Sequence, residues 1–131
     1  MAATNALEEE VIAHMFGDSS WQKHTHYIAL LTGVTDIEAG TVTEVSDAGY
    51  ARIMVYAGTT YWTLSGGSAS NIAAIQFGDP ATAYTVTHVA LYVEASGGVP
   101  RTILTLTAPV TTTAGGPAVV IPAGELVVSV D

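Results

Sequence analysis

The sequence predicts an all-β fold, an antiparallel sandwich or jelly-roll-like barrel, with one short N-terminal helix. Three observations carry that expectation. Threonine and valine recur throughout the chain after Gly17. Turn-forming groups punctuate it at Asp47-Ala48-Gly49, Gly66-Gly67, Gly78-Asp79-Pro80, Gly97-Gly98, Gly115-Gly116 and Pro122-Ala123-Gly124, leaving strand-length runs between them. Those runs never alternate with helix-period segments, so there is no βαβ rhythm to support a parallel sheet.

The helix comes first, over about residues 5–16. Asn5 followed three positions later by Glu8 has capping-box spacing. Glu8, Glu9 and Glu10 fall in the first turn, where the positive end of the helix dipole favours them, and His14 falls near the last. Gly17 supplies the stop. Leu7, Val11 and Met15 recur at i, i+4 and i+8 with Ile12 and Phe16 beside them, so the helix is expected to dock through Leu7, Val11 and Met15. Strands are expected at about 26–32, 41–45, 50–57, 60–64, 70–77, 84–93, 101–107, 117–121 and 125–130. Alternation is clearest where Val89, Leu91 and Val93 share one face and His88 takes the other, and again at Leu126, Val128 and Val130. The stretch from Gly33-Val34-Thr35 to Ala39-Gly40 reads as a polar loop, and Ser65-Gly66-Gly67-Ser68 and residues 111–116 as exposed turns.

Length and charge narrow the function. The 131 residues describe a single β-rich domain, with the helix at about 5–16 and the sandwich at about 26–131. The absence of cysteine excludes disulfides, thiolate zinc sites and cysteine nucleophiles. Twelve acids against three bases leave a net charge of −9, and Lys23, Arg52 and Arg101 stand far apart, so neither nucleic acid nor an anionic membrane is an expected partner. The segment Met1 to Glu10 lacks the basic and apolar regions of a secretory signal, and no apolar run approaches the ~20 residues of a transmembrane helix. With 49% of residues hydrophobic and only 11% charged, more apolar surface exists than one small core hides. That surplus points to a buried interface between copies.

Catalytic chemistry finds little to work with. His14, His24, His26 and His88 are the candidates for proton transfer near neutral pH. His24 and His26 would share a strand face and could offer two ring nitrogens to a metal, but no third ligand accompanies them, and a packed, hydrogen-bonded role is the default for His88. Gly66-Gly67-Ser68-Ala69-Ser70 matches neither a nucleophile elbow nor a phosphate loop. Asp36, Glu38, Glu44 and Asp47 lie within twelve residues but lack the alternating pattern of an EF-hand. The expectation is a chain that is not an enzyme and has no cofactor and no metal. Tyr56, Tyr61 and Trp62 cluster around Gly58-Thr59-Thr60 and could form a carbohydrate platform, although a strand Trp more often fills the core.

Several segments together carry a family resemblance: Tyr27-Ile28-Ala29-Leu30-Leu31-Thr32, Gly40 through Arg52, Ser70-Asn71 through Phe77, Ala83-Tyr84-Thr85-Val86-Thr87-His88 through Tyr92, and the ending Ala123-Gly124-Glu125-Leu126 through Asp131. They resemble a family of small tailed-bacteriophage virion proteins, commonly labelled tail fibre proteins, over nearly the whole chain. Gly33-Val34-Thr35, Tyr84 and Tyr92-Val93-Glu94-Ala95 depart from the family pattern. The resemblance implies a homotrimeric or otherwise symmetric structural component of the virion, with no active site. A compact chain without a repeated shaft pattern does not make an elongated fibre alone, and a small acidic domain suits the outer shell. The expectation is therefore a capsid decoration (cement) protein on the capsid exterior, a homo-oligomer, taken as a trimer, bound to the major capsid protein. Glu8, Glu9, Asp36, Glu38, Glu44 and Asp47 are the acids expected at that interface. The alternative is a tail fibre or tail-associated adhesion module that binds a host receptor or glycan through Tyr56, Tyr61 and Trp62.

Overall fold

The computed structural model describes residues 2–17 and 23–129. Among them, in chain order, are β1 (Ala2–Ala3), α1 (Asn5–Phe16), β2 (His26–Asp36), β3 (Thr41–Glu44), β4 (Ile53–Val55), β5 (Trp62–Ser65), β6 (Ser68–Asn71), β7 (Ile75–Gln76), β8 (Thr85–Tyr92), β9 (Thr102–Thr111), β10 (Val120–Ile121) and β11 (Val127–Ser129). The all-β expectation holds: curled antiparallel sheets form a sandwich or half-barrel with one short helix.

Strand β2 organises the large sheet. Its neighbours give the order β1-β9-β8-β2-β3, and β4 pairs with β2 as well. Ile28, Ala29, Leu30 and Leu31 are all fully buried. Four consecutive buried residues mean that both faces of the sheet are covered at this point, because successive side chains point to opposite faces. Ile28 and Leu30, with Val89 and Leu91 of β8, pack against Trp62, Ile75, Phe77 and Leu126 of the second layer, which comprises the small sheets β11-β6-β5 and β10-β7. Ala29, Leu31, Ala90, Tyr92 and Ile103 make a second cluster on the other face.

β3 and β4 share one edge of β2: β3 pairs along Leu31–Asp36 and β4 along His26–Ile28. Between them the chain leaves the ladder, and the backbone of Leu30 needs other partners. Its carbonyl accepts from Val45 N–H at 2.9 Å, and its N–H donates to the Tyr50 hydroxyl at 3.1 Å. Tyr50 donates onward to Glu44 Oε2 at 2.6 Å. Arg52 completes the arrangement. Its Nε and Nη2 donate to the two Glu44 oxygens at 2.9 Å each, and its Nη1 donates to the carbonyls of Glu94 and Gly97 at 2.8 and 2.9 Å. The guanidinium lies 3.5 Å from the centre of the Tyr92 ring. This is why the expected strand 50–57 shortens to Ile53–Val55: Tyr50 and Arg52 serve the seam and not a ladder.

Other differences from expectation have local causes. The expected strand 70–77 breaks after Asn71, which is buried and bonds through its side chain to the Ala73 and Pro122 carbonyls and to Leu126 N–H. An amide side chain that satisfies three backbone groups turns the chain away from the ladder. The expected loop at Gly33–Asp36 is instead the far end of β2, paired with β3 across two register shifts. The turn Ser65-Gly66-Gly67-Ser68 is a tight hairpin with φ of 59° and 80° at its two glycines. Leu126 is buried and Val128 packs on the core, as alternation requires, while Val130 and Asp131 lie outside the described residues.

Helix α1 occupies the expected residues, but its cap is Thr4 and not Asn5. The Thr4 hydroxyl donates to the Pro100 carbonyl at 2.7 Å, and Asn5 N–H donates to the Glu38 carbonyl at 2.9 Å. Ala2 and Ala3 add a short strand to β9 that composition did not reveal. Docking through Met15 is not observed. Leu7 and Val11 are half-buried, whereas Met15 is 63% exposed and Phe16 78%. Thr4, Asn5 and Glu10, all in the first two turns, anchor the helix to the rest of the chain.

The Arg52 side chain is only 5% exposed, so removing it strands the Glu44 carboxylate and two loop carbonyls. Replacing Arg52 by Ala is expected to lower the unfolding free energy by about 3 kcal/mol, measured by urea denaturation.

Candidate functional site

The six acids expected at an interface divide into two groups. Asp36 and Glu38 occupy the β2–β3 hairpin, where Asp36 accepts from Ala39 N–H at 3.1 Å and Gly40 turns with φ of 69°. That hairpin meets the start of α1 through the Asn5–Glu38 backbone bond, which puts it beside the helix end that carries the exposed Glu8 and Glu9. Glu8, Glu9, Asp36 and Glu38 therefore belong to one exposed region. Glu44 and Asp47 serve the chain itself. Burial raises the Glu44 pKa, but the hydrogen bonds from Arg52 and Tyr50 outweigh it and hold the carboxyl below its usual value.

Asp47 clasps the loop that follows Gly78. Its carboxylate accepts from the Thr82 hydroxyl at 2.6 Å and from the backbone N–H groups of Thr82, Ala81 and Gly49 at 2.8, 3.0 and 2.9 Å. The two turns touch backbone to backbone: a Cβ on Gly49 would lie 2.0 Å from the Asp79 carbonyl oxygen, and one on Gly78 would lie 2.1 Å from that of Gly49. Only glycine allows that approach. The hydrogen bonds from Thr82 and Ala81 hold Asp47 down at about 2.

The aromatic trio also separates. Trp62 is buried, with its ring N–H donating to the Tyr56 carbonyl at 3.1 Å and its ring edge-on to His26. Its ring is packed in the core while Thr63, Leu64 and Ser65 of the same strand are exposed, so it is removed from any platform. Tyr56 and Tyr61 remain exposed, 49% and 41%, with ring centres 5.4 Å apart.

A pocket of about 420 Å³ opens beneath α1, and nothing in the spacing of the sequence announces it. Leu7 and Val11 roof it, and Trp62, Leu64 and Val128 of the small sheet form its apolar wall. Its lining also includes Glu10, Lys23, His24 and Arg101, which sequence alone left scattered. Glu10 pairs there with His24 and accepts from Arg101 Nε at 3.1 Å. Burial raises the Glu10 pKa, but the hydrogen bonds and charges of His24 and Arg101 outweigh it and bring the carboxyl below its usual value. Burial lowers the pKa of His26. Among the described residues, no three His, Cys, Asp or Glu side chains gather where they could hold a metal ion.

The arrangement suits binding: an apolar hole, an exposed acidic patch and a pair of open tyrosines. Comparison with known families supplies the context, because residues 2–129 match the family described as podophage GP4 fiber I protein gp80. The chain belongs to that family. No curated protein matches it. Membership in the podophage fiber I family agrees with the resemblance to tail fibre proteins and makes this a structural protein of the phage fibre or virion type.

The Asp47 clasp has a pH signature. Its folded pKa of about 2 lies below the ordinary value of 3.8, so its stabilisation is present above pH 3.8 and is lost as pH falls towards 2. Wild type is expected to resist urea better than Asp47→Ala at neutral pH, with the difference between their midpoints shrinking over that acid range.

Proposed function

We propose that this chain is a non-catalytic structural subunit of the phage fibre that self-associates, as a trimer, through surfaces its own fold leaves apolar. The observation that carries this reading is the helix. Leu7 and Val11 are half-buried, while Ile12, at 57% exposed, and Phe16 present apolar side chains to the outside. A helix apolar on both sides is built to be covered on both sides. The fiber I family supports a place in the fibre ahead of the capsid-decoration reading, in which the partner would be the major capsid protein. Cryo-electron microscopy of the intact virion tests this directly. Density for the chain in the tail fibres is the expected result, and density spread over the outer shell would replace the reading with capsid decoration.

The exposed Tyr56–Tyr61 pair favours a second role, host adhesion, for the same subunit. Aromatic faces left open to water give a sugar ring an apolar surface to stack on. Purified protein is then expected to compete with phage for adsorption to host cells, and the Tyr56→Ala/Tyr61→Ala variant to compete at least about tenfold less well, the loss that corresponds to about 1.4 kcal/mol.

A further inference from the structure

We infer that the Tyr56–Tyr61 pair binds an uncharged saccharide by stacking, and that the buried Trp62 is the positioning residue that holds the two rings for it. This rests on the adhesion reading and names the chemical class of its ligand.

The two tyrosines stand at the ends of the 56–61 loop that joins β4 to β5, and hydrogen bonds fix that loop from both sides. The Trp62 ring N–H donates to the Tyr56 carbonyl at 3.1 Å. The N–H groups of Tyr61 and Trp62 both donate to the Gly58 carbonyl, at 3.1 and 3.0 Å, and the Tyr61 carbonyl accepts from Ile72 N–H at 3.0 Å. Gly58 makes the turn at φ of 114°, a conformation that side chains disfavour. Trp62 therefore reaches both tyrosines from the core: its ring holds Tyr56, and its backbone shares with Tyr61 the carbonyl that closes the turn. The exposed rings, with centres 5.4 Å apart and planes tilted by 49°, are thus carried on backbone that is already ordered. A ligand that stacks on them does not have to order the loop first, which is how a small contact area gains affinity.

Charge and hydroxyl groups select the ligand. No charged side chain occurs in residues 53–78, the stretch that contains both tyrosines. Arg52, just before it, is engaged by Glu44 and two carbonyls, and Lys23 lines the pocket, which neither tyrosine does. A carboxylate, phosphate or sulfate brought to the rings would lose water with no cation of this segment to replace it, on a chain of net charge −9. An uncharged sugar meets neither penalty. Its C–H groups pack on the electron-rich face of an aromatic ring. The two phenol oxygens and the hydroxyls of Thr59 and Thr60, exposed on the same loop, donate to and accept from its hydroxyl groups. A purely apolar partner would cover those hydroxyls without satisfying them.

Biolayer interferometry of the full chain tests this, with polysaccharide extracted from host cells and separated by anion exchange into neutral and acidic fractions as the immobilised probes. Wild type is expected to bind the neutral fraction, with a dissociation constant that changes less than about twofold between about 0.05 and 0.5 M NaCl, a range over which charge contacts are screened. Tyr56→Ala/Tyr61→Ala is expected to bind at least about tenfold more weakly. Trp62→Phe keeps an apolar ring in the core but removes the N–H that holds Tyr56, and is expected to bind about fivefold more weakly, the order of one hydrogen bond. Circular dichroism checks that the variants are folded. If Trp62→Phe is not, Gly58→Ala, which strains the turn, takes its place with the same expectation. Binding confined to the acidic fraction, a steep loss with salt, or a double tyrosine variant that binds like wild type overturns the uncharged ligand. A folded Trp62→Phe that binds like wild type overturns the positioning role. Protein that competes with phage for adsorption yet binds neither fraction overturns the saccharide and leaves adhesion standing. Protein that binds the neutral fraction without competing overturns adhesion and leaves the saccharide site standing.

Discussion

The structure depends on one nearly dry guanidinium. Arg52 stands where β2 passes from one edge partner to another, and every nitrogen it offers is engaged: two on Glu44 and one on the carbonyls of Glu94 and Gly97. A charge taken from water is tolerable only when its pairing and hydrogen bonds replace what water gave. That demand fixes several elements at once. It sets the end of β3 through Glu44, the turn beyond β8 through two carbonyls, and the Tyr92 ring through its face. Through Tyr50, which Glu44 also holds, it reaches the backbone of Leu30 in the most buried stretch of the sheet.

The second layer is positioned by the same device in uncharged or singly charged form. Asn71 satisfies three backbone groups where β6 must give way to β7, and Asp47 takes four hydrogen bonds where two turns meet at Gly49 and Gly78. With strands as short as two and three residues in this layer, ladders alone contribute few bonds. Polar side chains that bond backbone across long sequence separations take over that function. Much of the small complement of polar groups is thus internal to the scaffold, and the outer surface keeps an excess of acid.

The parts of this design that were legible in the sequence are those governed by periodicity. Strand β8 could be read from Thr85 to Tyr92 because alternation places Val89 and Leu91 inward, and the hairpin at Gly66-Gly67 because paired glycines suit its turn. Periodicity also put Leu7, Val11 and Met15 on one stripe, but it carries no information about how far the sheet beneath extends, so the exposure of Met15 was out of reach. Long-range polar bonds leave no local mark. Glu44 and Asp47 looked like free surface acids beside Asp36 and Glu38, and only the fold shows that their partners are Arg52 and the 81–82 loop. The pocket was hidden for the same reason, since Val11, Trp62, Arg101 and Val128 come from four distant segments.

The helix is where the constraints on folding and on assembly separate. Twelve residues are at the lower limit for a helix that stands without tertiary support, about 12–15 residues even for favourable sequences. Here Thr4 and Asn5 tie its start, and Glu10 ties its middle to Arg101 and His24. The second half carries Ile12, Met15 and Phe16 into water, where apolar side chains gain nothing from being helical. A sequence optimised for the isolated chain would place polar residues there. Their apolar character is intelligible if the last turn completes its packing on another molecule, so that burial and helix stability are gained in one step. The anchored half then fixes the direction from which that second surface is met.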